Sequence, residues 1–233
     1  MNAHRRLAIV AGIMFIVATV ANVASAAMVS PILNATDYLT QVSVDQTRVL
    51  VSALLEFVGG VACTGIALAL FPVLRPHNEG LALGAVAFRT IEGALYVLIA
   101  VCLTVLVTIS REGLASSDQA GALVLATRDA LGPVGVLTFG LGGLMYYLVF
   151  FRTRLIPLWL SVWGLIGVVL VMASAVLVML GAIDNFSTAQ IALAAPIGLQ
   201  EMVLAVYLIA KGFRAAPVAS EPARRPRVQP AAS

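Results

Sequence analysis

The sequence predicts an all-α membrane protein, a single bundle of six transmembrane helices with both termini in the cytoplasm. Of its 233 residues, 61% are hydrophobic and only 11% are charged, and the mean hydropathy is +1.02. This composition excludes a soluble domain. The apolar residues form six continuous runs, each near the roughly 20 residues that a helix needs to cross the bilayer core. Strands of a membrane barrel would alternate apolar and polar side chains instead.

The predicted helices follow the apolar runs in order. They lie near residues 7–29, 49–74, 81–109, 132–151, 156–180 and 189–211. Together they form one transmembrane domain over residues 1–214, and residues 215–233, rich in Pro, Ala and Arg, are predicted to be a disordered basic tail. The first run has an alternative interpretation. Two arginines, an apolar run and small residues at 24–26 also fit a cleaved signal peptide, which would leave five helices in the same orientation.

The orientation follows from lysine and arginine, which are retained on the cytoplasmic side during insertion. With the N-terminus inside, ten of them are cytoplasmic, three are outside and Arg89 lies in the membrane. The ten are Arg5, Arg6, Arg75, Arg152, Arg154, Lys211, Arg214, Arg224, Arg225 and Arg227, and the three are Arg48, Arg111 and Arg128. The tail arginines are expected to contact anionic lipid or simply to hold the orientation. They do not indicate nucleic-acid binding.

The longest outer loop contains a predicted amphipathic helix over residues 117–131. Ser117 is a suitable N-cap, and Leu123, Leu125 and Ala126 give the segment an apolar side. The glycine and Pro133 that follow are expected to break or bend the chain. The pattern leaves open whether this segment lies on the membrane surface or continues, bent, into the fourth helix.

Four ionisable side chains lie inside the apolar runs: Glu56, Arg89, Glu92 and Glu201. A charge at mid-membrane costs about 2.5–3.5 kcal/mol on insertion scales, so such residues normally face the bundle interior and have a partner or a task. Counted from the cytoplasmic boundary, Arg89 and Glu201 both lie about 15 Å deep, which would let them pair. Glu92 lies one turn beyond Arg89 on the same helix face.

Glu56 lies further out, where Arg128 or Arg48 could meet it. Three acids and one base cannot all be neutralised by pairing among themselves, so at least one carboxyl is expected to bind a proton or a cation. Three roles stay open for these residues: fixing the helix register, forming a proton or solute pathway, or acting as a general acid or base.

The glycines of the third and fourth helices are predicted to let neighbouring helices approach closely. Gly80 and Gly84 form one such pair, and five more thin out the fourth helix. These five are Gly132, Gly135, Gly140, Gly142 and Gly143.

The residues that are missing exclude several activities. His4 and His77 lie outside the apolar runs, and Cys63 and Cys102 lie in different helices, so no metal site, haem site or disulfide is predicted. The chain has no HExxH sequence, no phosphate-binding loop and no intramembrane pair of aspartates. We therefore predict no catalytic residue and no cofactor, although the sequence alone does not decide whether the protein is an enzyme.

Three stretches carry a resemblance to a known family. They are the "FRTIE" of residues 88–92, the "IPLWLSVWG" of residues 156–164, and the "GLQE" of residues 198–201, which runs on to "KGF" at 211–213. Together they resemble the bacterial membrane protein family known as domain of unknown function 4386, over about residues 5–214. The resemblance implies a multi-pass protein of the bacterial inner membrane with no established activity. It also implies that Arg89, Glu92 and Glu201 are polar residues of the family.

From the sequence we predict an integral membrane protein that moves a small solute or a cation with proton coupling through these buried charges. The alternative is a structural, sensor or partner-binding membrane protein without catalysis. The bilayer is the one partner that the sequence identifies.

Overall fold

The computed structural model describes residues 3–112, 117–185 and 187–214 of the chain. Within these ranges the secondary structure is helical. The helices are α1 (Ala3–Leu33), α2 (Tyr38–Val44), α3 (Gln46–Leu74), α4 (Glu79–Glu112), α5 (Ser117–Thr153), α6 (Leu158–Met179) and α7 (Thr188–Ala210). Among the described residues, all of these but α2 are long and apolar enough to cross a membrane, which confirms the all-α class and the six spanning helices. The orientation of the bundle in the membrane stays a prediction, and the predicted tail at 215–233 lies outside the described residues.

The six long helices form a closed ring in chain order. Each packs against the long helix before it and the one after it, and α7 returns to pack against α1. Short connections make successive helices alternate in direction, so the bundle has two ends. We call the end that carries α2 the α2 end, and the end where α1 begins and α7 finishes the terminal end. The short helix α2 packs mainly against α4 and α1.

Arg5 closes the ring at the terminal end. Its guanidinium donates hydrogen bonds to the backbone oxygens of Leu208 at 3.0 Å and Ile209 at 2.6 Å. These carbonyls belong to the last turn of α7 and form the negative end of its dipole, and the Leu208 oxygen also accepts from the backbone N–H of Gly212. The chain then turns at Gly212, whose φ of 75° favours glycine, and Phe213 packs against an aromatic ring of α5.

The structure differs from the predicted elements at the α2 end. The helix α2 was not predicted. The segment 117–131 and the predicted fourth helix form one continuous helix, α5, which settles the question that the sequence left open. Pro133 lies inside α5, where it removes one backbone donor without ending the helix. Most other spans begin or end a few residues beyond their apolar runs, because a helix can continue past the bilayer core on polar side chains.

Part of the apolar side predicted for 117–131 packs inside the protein. Leu125 and its neighbour Val124 pack against an apolar cluster, together with Tyr38 of α2. Leu123 is 70% exposed and Ala126 is also exposed, so these two residues face away from the bundle. No pattern in the sequence predicts α2, which lies beside this part of α5.

The bundle interior contains two separate apolar clusters. The terminal-side cluster includes Phe15 of α1 and Ile66 of α3, whereas the α2-side cluster includes Val29 of α1 and Val49 of α3. Along each of these helices, the residues between the two clusters line a cavity. This layer, and the polar residues inside the terminal-side cluster, are the features of the interior that bear on function.

Candidate functional site

The four ionisable residues of the apolar runs all lie inside the ring, but they do not form one group. Arg89 is 1% exposed, Glu92 2%, Glu56 5% and Glu201 9%. Arg89 donates a hydrogen bond to the backbone oxygen of Cys63 on α3. Glu56 lies seven residues before Cys63 on that helix, which is two turns or about 10 Å toward the α2 end. Glu56 is therefore separate from the other three.

Arg89 and Glu92 form an ion pair across one turn of α4. Arg89 Nη1 lies 3.0 Å from Glu92 Oε2, without the alignment of a hydrogen bond. Arg89 Nε donates to the oxygen of Cys63 at 3.4 Å, and its guanidinium carbon lies 5.0 Å from the ring centre of Phe139 on α5. That distance permits a cation–π contact. Groups from α3, α4 and α5 thus hold Arg89 in place.

Two adjacent tyrosines of α5 hold the polar side chains of α7. The Tyr146 hydroxyl donates to Glu201 Oε1 at 3.1 Å, and the Tyr147 hydroxyl donates to Gln200 Oε1 at 2.5 Å. Gln200 Nε2 donates in turn to the backbone oxygen of Leu160 on α6, at 2.9 Å. Both tyrosines are fully buried. These bonds connect α5, α6 and α7 across the interior of the ring. We call Arg89, Glu92, Tyr146, Tyr147, Gln200 and Glu201 the polar cluster.

The pair expected between Arg89 and Glu201 is not the one that forms. Within the described residues, the ion pair of Arg89 is with Glu92, and the hydrogen bond to Glu201 comes from Tyr146. The reason is the ring order, since α4 and α7 lie on opposite sides of the ring whereas Glu92 is on the next turn of the same helix. With all three groups ionised, the polar cluster would carry one net negative charge.

The sequence analysis missed the tyrosines. Tyr146 and Tyr147 stand in an apolar helix, where a tyrosine is commonly a packing residue. Their signal was the hydroxyl itself, because a buried tyrosine usually finds a hydrogen-bond partner.

A cavity of about 390 Å³ lies between the two apolar clusters. It is surrounded by residues of α1, α3, α4, α5 and α7 and of the connection before α7. Its polar lining residues are Asn22, Glu56, Tyr96, Arg128, Asp129, Asn185 and Gln190. The other lining residues are aliphatic or glycine.

Glu56 is the deeply buried acid of this cavity. Its Oε1 accepts a hydrogen bond from the Ser25 hydroxyl at 2.7 Å, and that hydroxyl also lies 3.1 Å from the backbone oxygen of Ser52. Since Ser25 has one hydroxyl hydrogen, the two acceptors share it. Glu56 Oε2 has no hydrogen-bond partner among the described residues.

Arg128 lines the same cavity, as the sequence suggested, but it is paired elsewhere. Its Nη1 lies 2.9 Å from Asp129 Oδ1, while its buried Nε has no hydrogen-bond partner in the described part of the chain. The other suggested partner, Arg48, is exposed and lies 4.0 Å from Asp45. Within the described residues neither arginine forms an ion pair with Glu56.

The comparison with known families identifies the chain. A profile of the family described as "Domain of unknown function (DUF4386)" matches residues 10–212, a range that contains the whole polar cluster and the whole cavity lining. The chain belongs to the DUF4386 family. Among curated proteins and among solved structures, none matches it. Membership of DUF4386 gives no activity, so the function must be argued from the site.

The stretches that carry the resemblance to DUF4386 meet at the polar cluster. Residues 88–92 supply the ion pair, and residues 198–201 supply Gln200 and Glu201. Residues 156–164 supply two contacts. The backbone oxygen of Leu160 accepts the hydrogen bond from Gln200. Gly164 lies so close to the Tyr147 ring that a Cβ at this position would overlap it. The three stretches are far apart in the chain and form one contiguous site in this DUF4386 protein.

Proposed function

We propose that this DUF4386 protein is a carrier that moves a small solute or cation across the membrane, with proton coupling through its buried carboxyl groups. The observation that carries the proposal is the cavity between the two apolar clusters. It lies inside a ring of spanning helices and is lined by a buried glutamate, one oxygen of which has no partner among the described residues. An intramembrane ionisable residue that faces a cavity is typical of a solute or proton pathway.

The cavity and the polar cluster are close enough to communicate. Tyr96 lines the cavity and lies four residues from Glu92 on α4, which is about 6 Å along the helix. On α5, Val136 lines the cavity and Phe139 contacts Arg89 three residues later. About one helical turn of packed side chains therefore separates the two sites. A shift of that size in α4 or α5 would open a path between them.

We assign the proton-coupling role to Glu201. The charge of Glu92 is compensated by Arg89 on the next turn, whereas Glu201 has a neutral tyrosine hydroxyl as its hydrogen-bond donor. Protonation of Glu92 would leave Arg89 without its ion-pair partner, whereas protonation of Glu201 would not. Tyr146 would hold the carboxyl in position during this exchange.

The proposal includes the location. We place the protein in a bacterial cytoplasmic membrane with the terminal end in the cytoplasm. The distribution of arginine supports this orientation, because Arg5, Arg75, Arg152 and Arg154 all lie at the terminal end. The cavity would then face the outer side in the conformation described here.

One observation favours the alternative, a structural or sensor role without transport. Arg89 and Glu92 are almost completely buried within the terminal-side cluster, and the Arg89 stem packs so tightly that a Cβ at Gly142 would lie 2.9 Å from its Cγ. A pair held this firmly fits the fixing of helix register. A structural role therefore accounts for the Arg89–Glu92 pair, but it does not account for the cavity.

Proton-coupled flux in sealed vesicles separates the two functions. Purified protein would be reconstituted around a pH-sensitive dye and challenged with separate panels of organic cations, zwitterions and neutral polar solutes. We expect a solute-induced pH change with the wild type that is lost in Glu201→Gln. The matched control is Glu79→Gln, which changes an exposed glutamate at the terminal end. Folded wild-type protein that gives no pH change with any panel would support the structural role instead.

A further inference from the structure

We propose that the cavity binds a small organic ammonium ion with an apolar body, and that Glu56 is the residue that accepts its N–H groups. The inference rests on the proposed function for its use in transport, but the binding stands on the geometry of the cavity itself. Three observations carry it: the missing donor at Glu56, the charge balance of the lining, and the apolar character of the walls.

Glu56 lacks the donors that a buried carboxylate needs. It is 5% exposed, its Oε1 shares the single hydroxyl hydrogen of Ser25 with a backbone oxygen, and its Oε2 has no partner among the described residues. Desolvated acceptors of this kind are costly unless a donor reaches them. Glu56 is one of the residues that line the cavity, so a ligand in the cavity would lie beside this carboxyl. Asn22 also lines the cavity, and its buried Oδ1, which lies against Gly59, lacks a partner in the described part of the chain.

The charges of the lining favour a cation over an anion. Arg128 is paired with its neighbour Asp129, so these two residues compensate each other. Glu56 has no basic side chain within ion-pair distance among the described residues. With all three groups ionised, the lining therefore carries one net negative charge, and Glu56 is the more buried of its two acids. A monovalent cation beside Glu56 would neutralise the cavity.

The walls favour an organic cation over a metal ion. Aliphatic residues from several helices form much of the lining, among them Val23, Leu95, Ile99 and Val136. Divalent ions such as Ca²⁺ and Mg²⁺ take six or more oxygen ligands, and among the described lining residues the carboxylates are Glu56 and Asp129, of which Asp129 is paired with Arg128. An ammonium group on an apolar body matches both the acceptors and the walls. The volume of about 390 Å³ lies at the small end of the usual range for ligand pockets.

One glycine offers a way to fill the cavity without disturbing the fold. Gly135 of α5 is buried and lines the cavity, yet a Cβ there would meet no heavy atom within 4 Å. A larger side chain at this position would occupy the ligand volume without a clash at its first atom. Gly135→Leu is therefore a variant that blocks the site while it leaves Glu56 unchanged.

Calorimetric titration of the full chain in mild detergent tests the inference. The probes are benzylammonium, benzyl alcohol and benzoate, which share one ring and differ in charge. We expect benzylammonium to bind most tightly, Glu56→Gln to weaken it by about tenfold or more, and Gly135→Leu to abolish it. Glu79→Gln should bind like the wild type, and titration into protein-free micelles corrects for uptake by the detergent. Thermal melting of each variant confirms that it is folded.

The outcomes separate this inference from the proposed function. Equal binding of the three probes, tighter binding of benzoate, or no effect of Glu56→Gln would each overturn the ammonium site, even if vesicles show proton-coupled flux of another solute. Binding of benzylammonium that depends on Glu56 without any flux in vesicles would establish the site and overturn the carrier. A response to sodium ions alone, with no binding of benzylammonium, would also overturn the inference.

Discussion

The polar cluster and the cavity both contain buried glutamates inside an apolar bundle, but the glutamates differ in the partners that they have. In the polar cluster, Glu92 has an arginine on the next turn and Glu201 has a tyrosine hydroxyl. In the cavity, Glu56 has a share of one serine hydroxyl. Glu56, Glu92 and Glu201 are 5%, 2% and 9% exposed, so the difference does not arise from the degree of burial.

The difference lies in how each glutamate is compensated: Glu92 has an ion-pair partner and Glu201 a tyrosine donor, whereas Glu56 Oε2 has neither among the described residues. Tyr147, Gln200 and a backbone oxygen of α6 complete a network that ties three helices together. A network of this kind adds rigidity, and removal of one member leaves another unpaired. The cavity contains polar atoms that the described protein does not satisfy, which is costly for stability alone. The comparison therefore assigns an architectural role to the Arg89–Glu92 pair and to the Tyr147–Gln200 bonds, and ligand binding to the cavity.

The largest expected effect comes from breaking the ion pair of the polar cluster. Arg89→Met should lower the free energy of unfolding by about 3–5 kcal/mol, because it leaves Glu92 as an uncompensated charge in an apolar cluster. The double variant Arg89→Met/Glu92→Met should recover much of this loss, since both charges are then removed. Unfolding in detergent followed by helical circular dichroism measures both values.

The exposed pair of Arg75 and Glu79 is the matched control. It has a similar spacing along the chain and an N–O distance of 2.9 Å, but its side chains are 59% and 65% exposed. Arg75→Met should cost at most about 1 kcal/mol. A loss at Arg75 as large as the loss at Arg89 would show that burial does not set the difference.

The second prediction makes the same substitution in each region. Gly164→Ala should destabilise the protein by about 1–3 kcal/mol, because the new Cβ overlaps the buried Tyr147 ring, which is fixed at its hydroxyl. Gly135 lies beside the cavity. Gly135→Ala should stabilise the protein by about 0.5–1 kcal/mol, because alanine is the better helix former and its Cβ would meet no neighbour. The melting temperatures of the two variants, each compared with that of the wild type, test whether the two substitutions have opposite effects. Equal destabilisation would mean that the wall of the cavity is packed as tightly as the polar cluster.

The sequence was sufficient for the spanning helices and for the positions of the buried charges along them. Apolar runs and the cost of a charge in the bilayer are local properties, so Glu56, Arg89, Glu92 and Glu201 could be identified without a structure. The neighbour relation of Arg89 and Glu92 also follows from helix geometry. The ion pair that Arg89 forms within the described residues is with Glu92 and not with Glu201, because a similar depth in the membrane does not fix the distance between side chains of two helices.

The cavity could not be predicted, because it arises from five helices at once. The glycines of α5 illustrate the limit. The close approach predicted for them is present at Gly140, Gly142 and Gly143, where a Cβ would meet Met172, Arg89 and Val168. At Gly135 it is wrong, since that glycine borders open space. The residue type is the same at each position. Only the tertiary arrangement decides whether a glycine allows a neighbouring helix to approach closely or borders a cavity.

The smallest expected effect is the one that tests the comparison most directly. Glu56→Gln should change the free energy of unfolding by no more than about 1 kcal/mol, and toward greater stability, because it removes a buried acid whose partners are incomplete. The amide keeps an oxygen that can accept the Ser25 hydrogen bond. Chemical unfolding beside Arg89→Met gives both values under one condition. If Glu56→Gln destabilises the protein as strongly as Arg89→Met, then Glu56 is an architectural residue like Arg89 and Glu92. The proposal that the cavity is a binding site would then be wrong.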